Sequence, residues 1–303
     1  YLIYVDGSMV NKYKNLFLSL VRLIRPHQYV KNLFIFAPLF FSGALLDLNI
    51  AIQGGYVFIL FSLLASSVYI FNDIMDVDQD RAHPSKKNRP IASGQVSVLL
   101  SVCVMLVFLL LAFLLAFFIS ANLLYIATLY ILINILYSFK LKHYPIIDVS
   151  IIALGFVLRV FAGSTLLESS PSIWIVLMTY LLALFLAFAK RRDDVLLSNN
   201  GLHVRKSIDG YNLDFVNAAM IIVASVTIVS YILYTISDSV QIRLDSDYLY
   251  LTVFFVITGI LRYLQITFVE NNSGSPTKVV LRDRFLKINT IAWILSFAFI
   301  IYG

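Results

Sequence analysis

Residues 51–80, AIQGGYVFILFSLLASSVYIFNDIMDVDQD, run from an unbroken apolar stretch into four closely spaced carboxylates, Asp73, Asp76, Asp78 and Asp80. The apolar part, 51–72, matches the roughly 20 residues a helix needs to cross a hydrocarbon core of about 30 Å. Runs of the same kind recur at 29–46, 96–118, 121–139, 146–167, 172–190, 215–237, 248–269 and 285–302. The sequence therefore predicts an all-α, polytopic membrane helical bundle of about nine transmembrane helices.

Composition supports that class. Of 303 residues, 60% are hydrophobic and 13% charged, with a mean hydropathy of +0.87; soluble domains sit nearer 45–50% apolar and 25% charged. Strand-like alternation is absent, which argues against a β-barrel. The single cysteine, Cys103, lies inside an apolar run and reads as a small packing residue. Residues 1–8 precede Met9, which suits a native start, so that stretch is expected to be an artificial remnant, with 9–303 as one transmembrane domain.

Orientation follows from Lys and Arg. Lys12, Lys14, Arg22, Arg25, Lys31, Arg81, Lys86, Lys87, Arg89, Lys140, Lys142, Lys190, Arg191, Arg192, Arg205, Lys206, Lys278, Arg282, Arg284 and Lys287 fall on one side; the opposite loops carry only Arg243. Arg159 and Arg262 remain within spans. The positive-inside rule puts the basic loops in the cytoplasm, with the N-terminus inside and the C-terminus outside. The net charge of +6 thus reflects topology, and no nucleic-acid partner is expected.

Helix continued through residues 72–80 would set Asn72, Asp73, Asp76 and Asp80 on one arc of about 100°, with Asp78 pointing elsewhere. Carboxylates so grouped repel unless a cation joins them, and hard oxygen ligands suit Mg²⁺ that completes its shell with water and phosphate. His83, Lys86, Lys87 and Arg89 follow at once. Acids for a metal beside bases for phosphate describe a diphosphate–Mg²⁺ site; the competing reading is a solvated acidic helix end.

Residues 72–94 (NDIMDVDQDRAHPSKKNRPIASG) resemble the first motif of the UbiA superfamily of intramembrane prenyltransferases, and Tyr137-Ser138-x-Lys140-x-Lys142 is similar to another of its segments. The resemblance extends from about Arg22 and implies a nine-helix fold with cytoplasmic acidic loops. Those enzymes carry a second aspartate set after the sixth span, whereas residues 184–195 (LFLAFAKRRDDV) keep Asp193 and Asp194 but place Ala183, Phe188 and Lys190 where acids are expected. Lys190, Arg191 and Arg192 make this entrance basic, as suits a substrate with an additional phosphate; a positive-inside anchor with incidental acids is the other reading.

That departure, with GFVLRVFAG at 155–163 and SGSPTKVVLRDR at 273–284, resembles the decaprenyl-phosphate phosphoribosyltransferase branch. The resemblance implies transfer of 5-phosphoribosyl from phosphoribosyl diphosphate to a polyprenyl phosphate, in cell-envelope glycan precursor synthesis, at an inner membrane with the site facing the cytoplasm. Asp73, Asp76 and Asp80 are then the catalytic metal ligands for Mg²⁺ (or Mn²⁺), assisted by Asn72, while Lys86 and Arg89 meet diphosphate oxygens. Lys190, Arg191 and Arg192 are assigned jointly to the 5-phosphate or the lipid phosphate, and Asp194 is counted among the substrate-binding residues. The lipid phosphate is already anionic, so no strong general base is needed.

Four further assignments keep two readings each. Arg159, about 20 Å along its span, either contacts substrate or serves as a structural partner. Lys140 and Lys142, flanking Tyr137, either bind phosphate or anchor the membrane edge. Tyr211, Arg205 and Lys206 form either a lid or a solvated loop. Arg282, Asp283 and Arg284 either belong to the site or begin an interfacial segment. The aromatic residues, 24 Phe and 18 Tyr, suit lipid contact and an isoprenoid groove without identifying one. The alternatives for function are a prenyltransferase taking an isoprenyl diphosphate donor and a lipid-phosphate transporter. Charge concentrated at one face disfavours the transporter, whose polar site usually lies near the midplane.

Overall fold

The computed structural model describes residues 7–83, 86–167, 171–199, 206–271 and 276–302. Residues 1–6 of the expected remnant, Arg205, and 273–275 of the C-terminal motif lie outside them, as does the Lys206 side chain.

Long apolar stretches leave the backbone no partner but itself in lipid, so they form helices. In chain order these are α1 Gly7–Ile24, α2 Phe36–Phe41, α3 Leu48–Met75, α4 Val77–Ala82, α5 Val98–Ile119, α6 Ala121–Phe139, α7 Ile147–Ser164, α8 Ile173–Asn199, α9 Leu213–Thr235, α10 Asp238–Leu244, α11 Val253–Phe268, α12 Pro276–Arg282 and α13 Arg284–Tyr302. No strand occurs among the described residues. Among the described residues, eight helices are long and apolar enough to cross a membrane, close to the expected nine, and the chain is an integral membrane protein.

The difference lies at 29–46. That stretch is divided into a 3-10 helix over Pro26–Ile35, the short α2, and a 3-10 turn over Ala44–Leu46. The chain enters it through Arg25 in a left-handed conformation (φ 52°) and leaves α2 through Gly43 (φ 79°), which bends the path at both ends. It packs on α7 and α3. Contact with α7 is so close that a β-carbon on Gly163 would collide with the main-chain carbonyl of Ile35. Small residues admit this kind of backbone approach between membrane helices.

α3 and α7 are central, with 61% and 56% of their spanning windows buried, against 11% for each of α5 and α13. α3 packs most extensively on α5, and α8 on α7 and α9. The acidic end of α3 therefore opens into the middle of the bundle rather than at its rim. Caps reinforce the boundaries: the side chains of Asp47, Ser97, Ser120 and Asn212 accept from backbone N–H groups at the starts of α3, α5, α6 and α9.

Candidate active site

α3 breaks at Asp76, whose backbone (φ −100°, ψ 11°) departs from helix while its N–H still bonds Asn72 O at 3.0 Å. The helical path resumes in α4, so Asp73 and Asp80, two turns apart, keep one face. Both are buried, at 2% and 3% exposure, while Asp78 points outward and pairs with Arg81 at 3.2 Å. The expected arc is thus present in kinked form.

Each inward carboxylate meets a cation. Arg25 Nη2 donates to Asp73 Oδ1 and Oδ2 at 2.5 and 2.8 Å. Arg89 Nη1 lies 2.9 Å from Asp73 Oδ1 and 2.6 Å from Asp80 Oδ2. Asp76 instead faces the 3-10 turn Leu141–His143 that follows α6, where Lys142 Nζ donates to its Oδ1 at 2.7 Å. Asn72 is hydrogen-bonded to Ser138. Lys86 follows α4 in a 3-10 turn, and Lys140 is exposed at the end of α6.

The donor set was expected to be three carboxylates. Asp73 and Asp80 converge on a single cationic atom, Arg89 Nη1, at distances that allow one positive centre to touch both. That pair fits Mg²⁺, which commonly takes one or two carboxylates and fills its shell with water and phosphate oxygens. Asp76 is drawn aside by Lys142, and among the described residues no three acidic, imidazole or thiol groups gather as a metal site. The arrangement is a two-carboxylate site with Asp76 adjacent.

The second motif has a different fate. Arg191 is 1% exposed and donates through Nε to Asp148 Oδ2 and through Nη1 to Asp194 Oδ2, both at 2.6 Å. Asp148 also accepts from Tyr211 Oη at 2.6 Å, and that phenol accepts from the Ile146 N–H at 2.6 Å. Burial, then the hydrogen bond to Asp148, push the Tyr211 phenol well above its ordinary range, so it stays a donor at neutral pH. Ile146 is β-branched with φ 68°, a strained conformation held by this bond. Arg192 donates to Asn217 Oδ1, Thr267 O and Asn271 Oδ1, tying α8 to α9 and to the end of α11. Arg191, Arg192, Asp194 and Tyr211 were expected to face substrate; each is engaged by protein because Asp148, Asn217 and Asn271 supply acceptors that local sequence does not reveal. Lys190 is exposed. Asp283 pairs with Arg262 at 2.8 Å and accepts from Leu286 N, capping α13.

Arg159 is 5% exposed and bonded to Asn32 Oδ1, Gly155 O and Tyr130 Oη. Reading the sequence by local motif missed Arg25, Asp148 and the Lys142–Asp76 pair. Asp148 did carry a signal, since a lone carboxylate inside a span is a functional flag. Arg25 carried none that distinguished it from a topological charge.

The sequence pattern of the UbiA prenyltransferase family matches residues 34–207. A decaprenyl-phosphate phosphoribosyltransferase of Mycolicibacterium smegmatis is 31% identical over 300 residues, covering 95% of this chain and 94% of the relative. One from Corynebacterium glutamicum is 29% identical over 294 residues, covering 95% and 88%. In fold, the chain is similar to a UbiA homologue from Archaeoglobus fulgidus bound to DMAPP and Mg²⁺, with TM-score 0.68, 19% identity, and coverage of 93% and 98%.

Proposed function

This chain belongs to the UbiA prenyltransferase family, and from that premise we propose that it transfers 5-phosphoribosyl from phosphoribosyl diphosphate to a polyprenyl phosphate, releasing diphosphate. The observation that carries this reading is similarity along 95% of the chain to relatives bearing that activity's name. The site chemistry agrees: a carboxylate pair lies among the cations Arg25, Arg89 and Lys142. The lipid phosphate and downstream use imply an inner-membrane enzyme with this end in the cytoplasm, in keeping with the Lys and Arg asymmetry.

In this reading Asp73 and Asp80 hold a divalent ion, Mg²⁺ or Mn²⁺, with Asp76 at its margin. Bound there, the ion would neutralise charge on the departing diphosphate. Arg89, Lys86 and Lys142 surround the carboxylates and meet the remaining diphosphate oxygens by charge-assisted hydrogen bonds. A lipid-phosphate oxygen attacks the anomeric carbon; the C–O bond to diphosphate breaks, and the leaving group takes the electron pair. Burial of Asp73 and Asp80 keeps these charges in low dielectric, where fixed dipoles and ions act most strongly. Arg191, Arg192 and Tyr211 tie α7, α8 and α9 together and are positioning residues.

The test is a purified-protein assay with labelled phosphoribosyl diphosphate and polyprenyl phosphate, with and without divalent cation. Divalent-dependent transfer of label to lipid is expected. Transfer only from an isoprenyl diphosphate to a small acceptor would overturn the proposal.

A further inference from the structure

Charges at the acidic end nearly balance, and two deeper ones do not. Arg25 and Arg89 share Asp73 and Asp80, Lys142 faces Asp76, and Arg191 faces Asp148 and Asp194. Arg159 sits eleven residues beyond Asp148 on α7, about 16 Å along the axis. Its acceptors are all neutral: Asn32 Oδ1 at 2.7 Å, Gly155 O at 2.6 Å and Tyr130 Oη at 3.1 Å. The rings of Phe61, Tyr130 and Phe156 lie within 5.1–5.9 Å of its guanidinium carbon. Those contacts satisfy its N–H groups and leave its charge uncompensated.

Lys31, on the 3-10 segment Pro26–Ile35, is half-buried and adjoins Asn32, the residue whose Oδ1 accepts from Arg159 Nε at 2.7 Å. Among the described residues it has neither a hydrogen-bond nor an ion-pair partner. Tyr69 also lies in the fields of Arg159 and Arg25, with its ring 5.1 Å from the Arg25 guanidinium carbon. Two cations on neighbouring positions inside a membrane bundle, with no carboxylate paired to either among the described residues, are costly to hold without an anion. A scaffold role accounts for the hydrogen bonds of Arg159; it accounts for nothing at Lys31.

We propose that Lys31 and Arg159 form an anion subsite for a phosphate monoester inside the bundle, separate from the Asp73–Asp80 pair. No carboxylate is ion-paired with either residue among the described residues, so the anion is met by side-chain cations directly rather than through a metal. The identity of the monoester rests on the phosphoribosyl-transfer reading, in which two substrates carry one: the 5-phosphate of the donor and the headgroup of the lipid acceptor.

Binding without turnover tests it. Thermal stabilisation of the full-length protein in detergent is titrated, with no divalent cation, using ribose 5-phosphate and a short-chain polyprenyl phosphate; ribose and the matching polyprenyl alcohol are blanks. One monoester is expected to stabilise the wild type. Its apparent Kd should rise at least about tenfold in Lys31→Met, as loss of a charge-assisted bond implies, and less in Lys31→Arg. Ligand-free Lys31→Met should melt no lower than wild type, because it has lost an uncompensated charge. A purely structural lysine would lower that melting temperature.

Binding of ribose 5-phosphate assigns the subsite to the donor, and binding of the lipid monoester assigns it to the acceptor. If neither monoester stabilises the wild type, or Lys31→Met binds as wild type does, the subsite is refuted. A wild type that binds a monoester through Lys31 yet forms no phosphoribosyl lipid would refute the transfer reading alone.

Discussion

Replacing Arg191 with methionine removes one half of the most deeply buried ion pair described, Arg191 with Asp148, at 1% and 0% side-chain exposure. Breaking such a pair strands the remaining charge and typically costs 3–5 kcal/mol. Asp148 keeps two donors, Tyr211 Oη at 2.6 Å and the Val149 N–H at 2.8 Å, which places the expected loss near about 3 kcal/mol. At about 2–4 °C per kcal/mol for a larger domain, the melting midpoint should fall by about 6–12 °C. Asp148→Asn should cost less, since Arg191 retains Asp194 at 2.6 Å. Combined, the two changes leave no stranded charge at position 148, with only the less buried Asp194 losing its partner, and should lose less than their sum, with a coupling of about 1–3 kcal/mol. Fluorescence of Trp174 and Trp293 during heating in detergent reports the midpoint, compared at one scan rate because such unfolding is commonly irreversible. Substrate KM at low temperature should stay within about threefold of wild type. A variant that melts within about 2 °C of wild type while KM for phosphoribosyl diphosphate rises tenfold would refute the positioning role and return Arg191 to the substrate.

Asp73→Asn and Asp80→Asn should each reduce divalent-dependent turnover by at least about a hundredfold, whereas Asp78→Asn, exposed and paired with Arg81, should leave it within about twofold; initial rates decide. Gly163→Ala should destabilise by about 1–3 kcal/mol, because the new methyl meets the Ile35 carbonyl, while Gly155→Ala, 3.6 Å from Arg159 Nη1, should be near neutral; melting midpoints separate them. Tyr211→Phe removes the bond to Asp148 and the acceptor for Ile146 N–H, and should cost about 1–3 kcal/mol with kcat per folded molecule little changed.

The later spans were legible because bilayer thickness sets their length and charged loops mark their ends. The expected 121–139 coincides with α6 Ala121–Phe139, and 285–302 differs from α13 by one residue. The 29–46 stretch was not, since its apolarity resembles that of a continuous span. What divides it is backbone conformation at Arg25 and Gly43 and a seat on Gly163, none of which is encoded in local hydrophobicity. Within the site, the shared face of Asp73 and Asp80 follows from helical periodicity alone. The destination of Asp76 does not, because Lys142 lies 66 residues away. Arg191 and Arg192 looked alike as adjacent basic residues at an entrance. Neighbours on a helix point about 100° apart, and so one entered the Asp148 network and the other reached Asn217 and Asn271.

The two ends of the bundle are fastened by different physics. At one, Arg25–Asp73, Lys142–Asp76 and Arg191–Asp148 join segments 43 to 66 residues apart through charge. At the other, Tyr231, Tyr234, Trp293 and Phe297 interlock with Phe41 and Trp174 through ring contacts, and the Trp293 N–H donates to Tyr231 Oη at 2.7 Å. Ionic seams answer to acid and to competing anions; aromatic ones answer to neither. Low pH or a strong competing anion should therefore loosen the acidic end before the aromatic one, which makes the ionic end the bundle's clasp and the aromatic end its hinge.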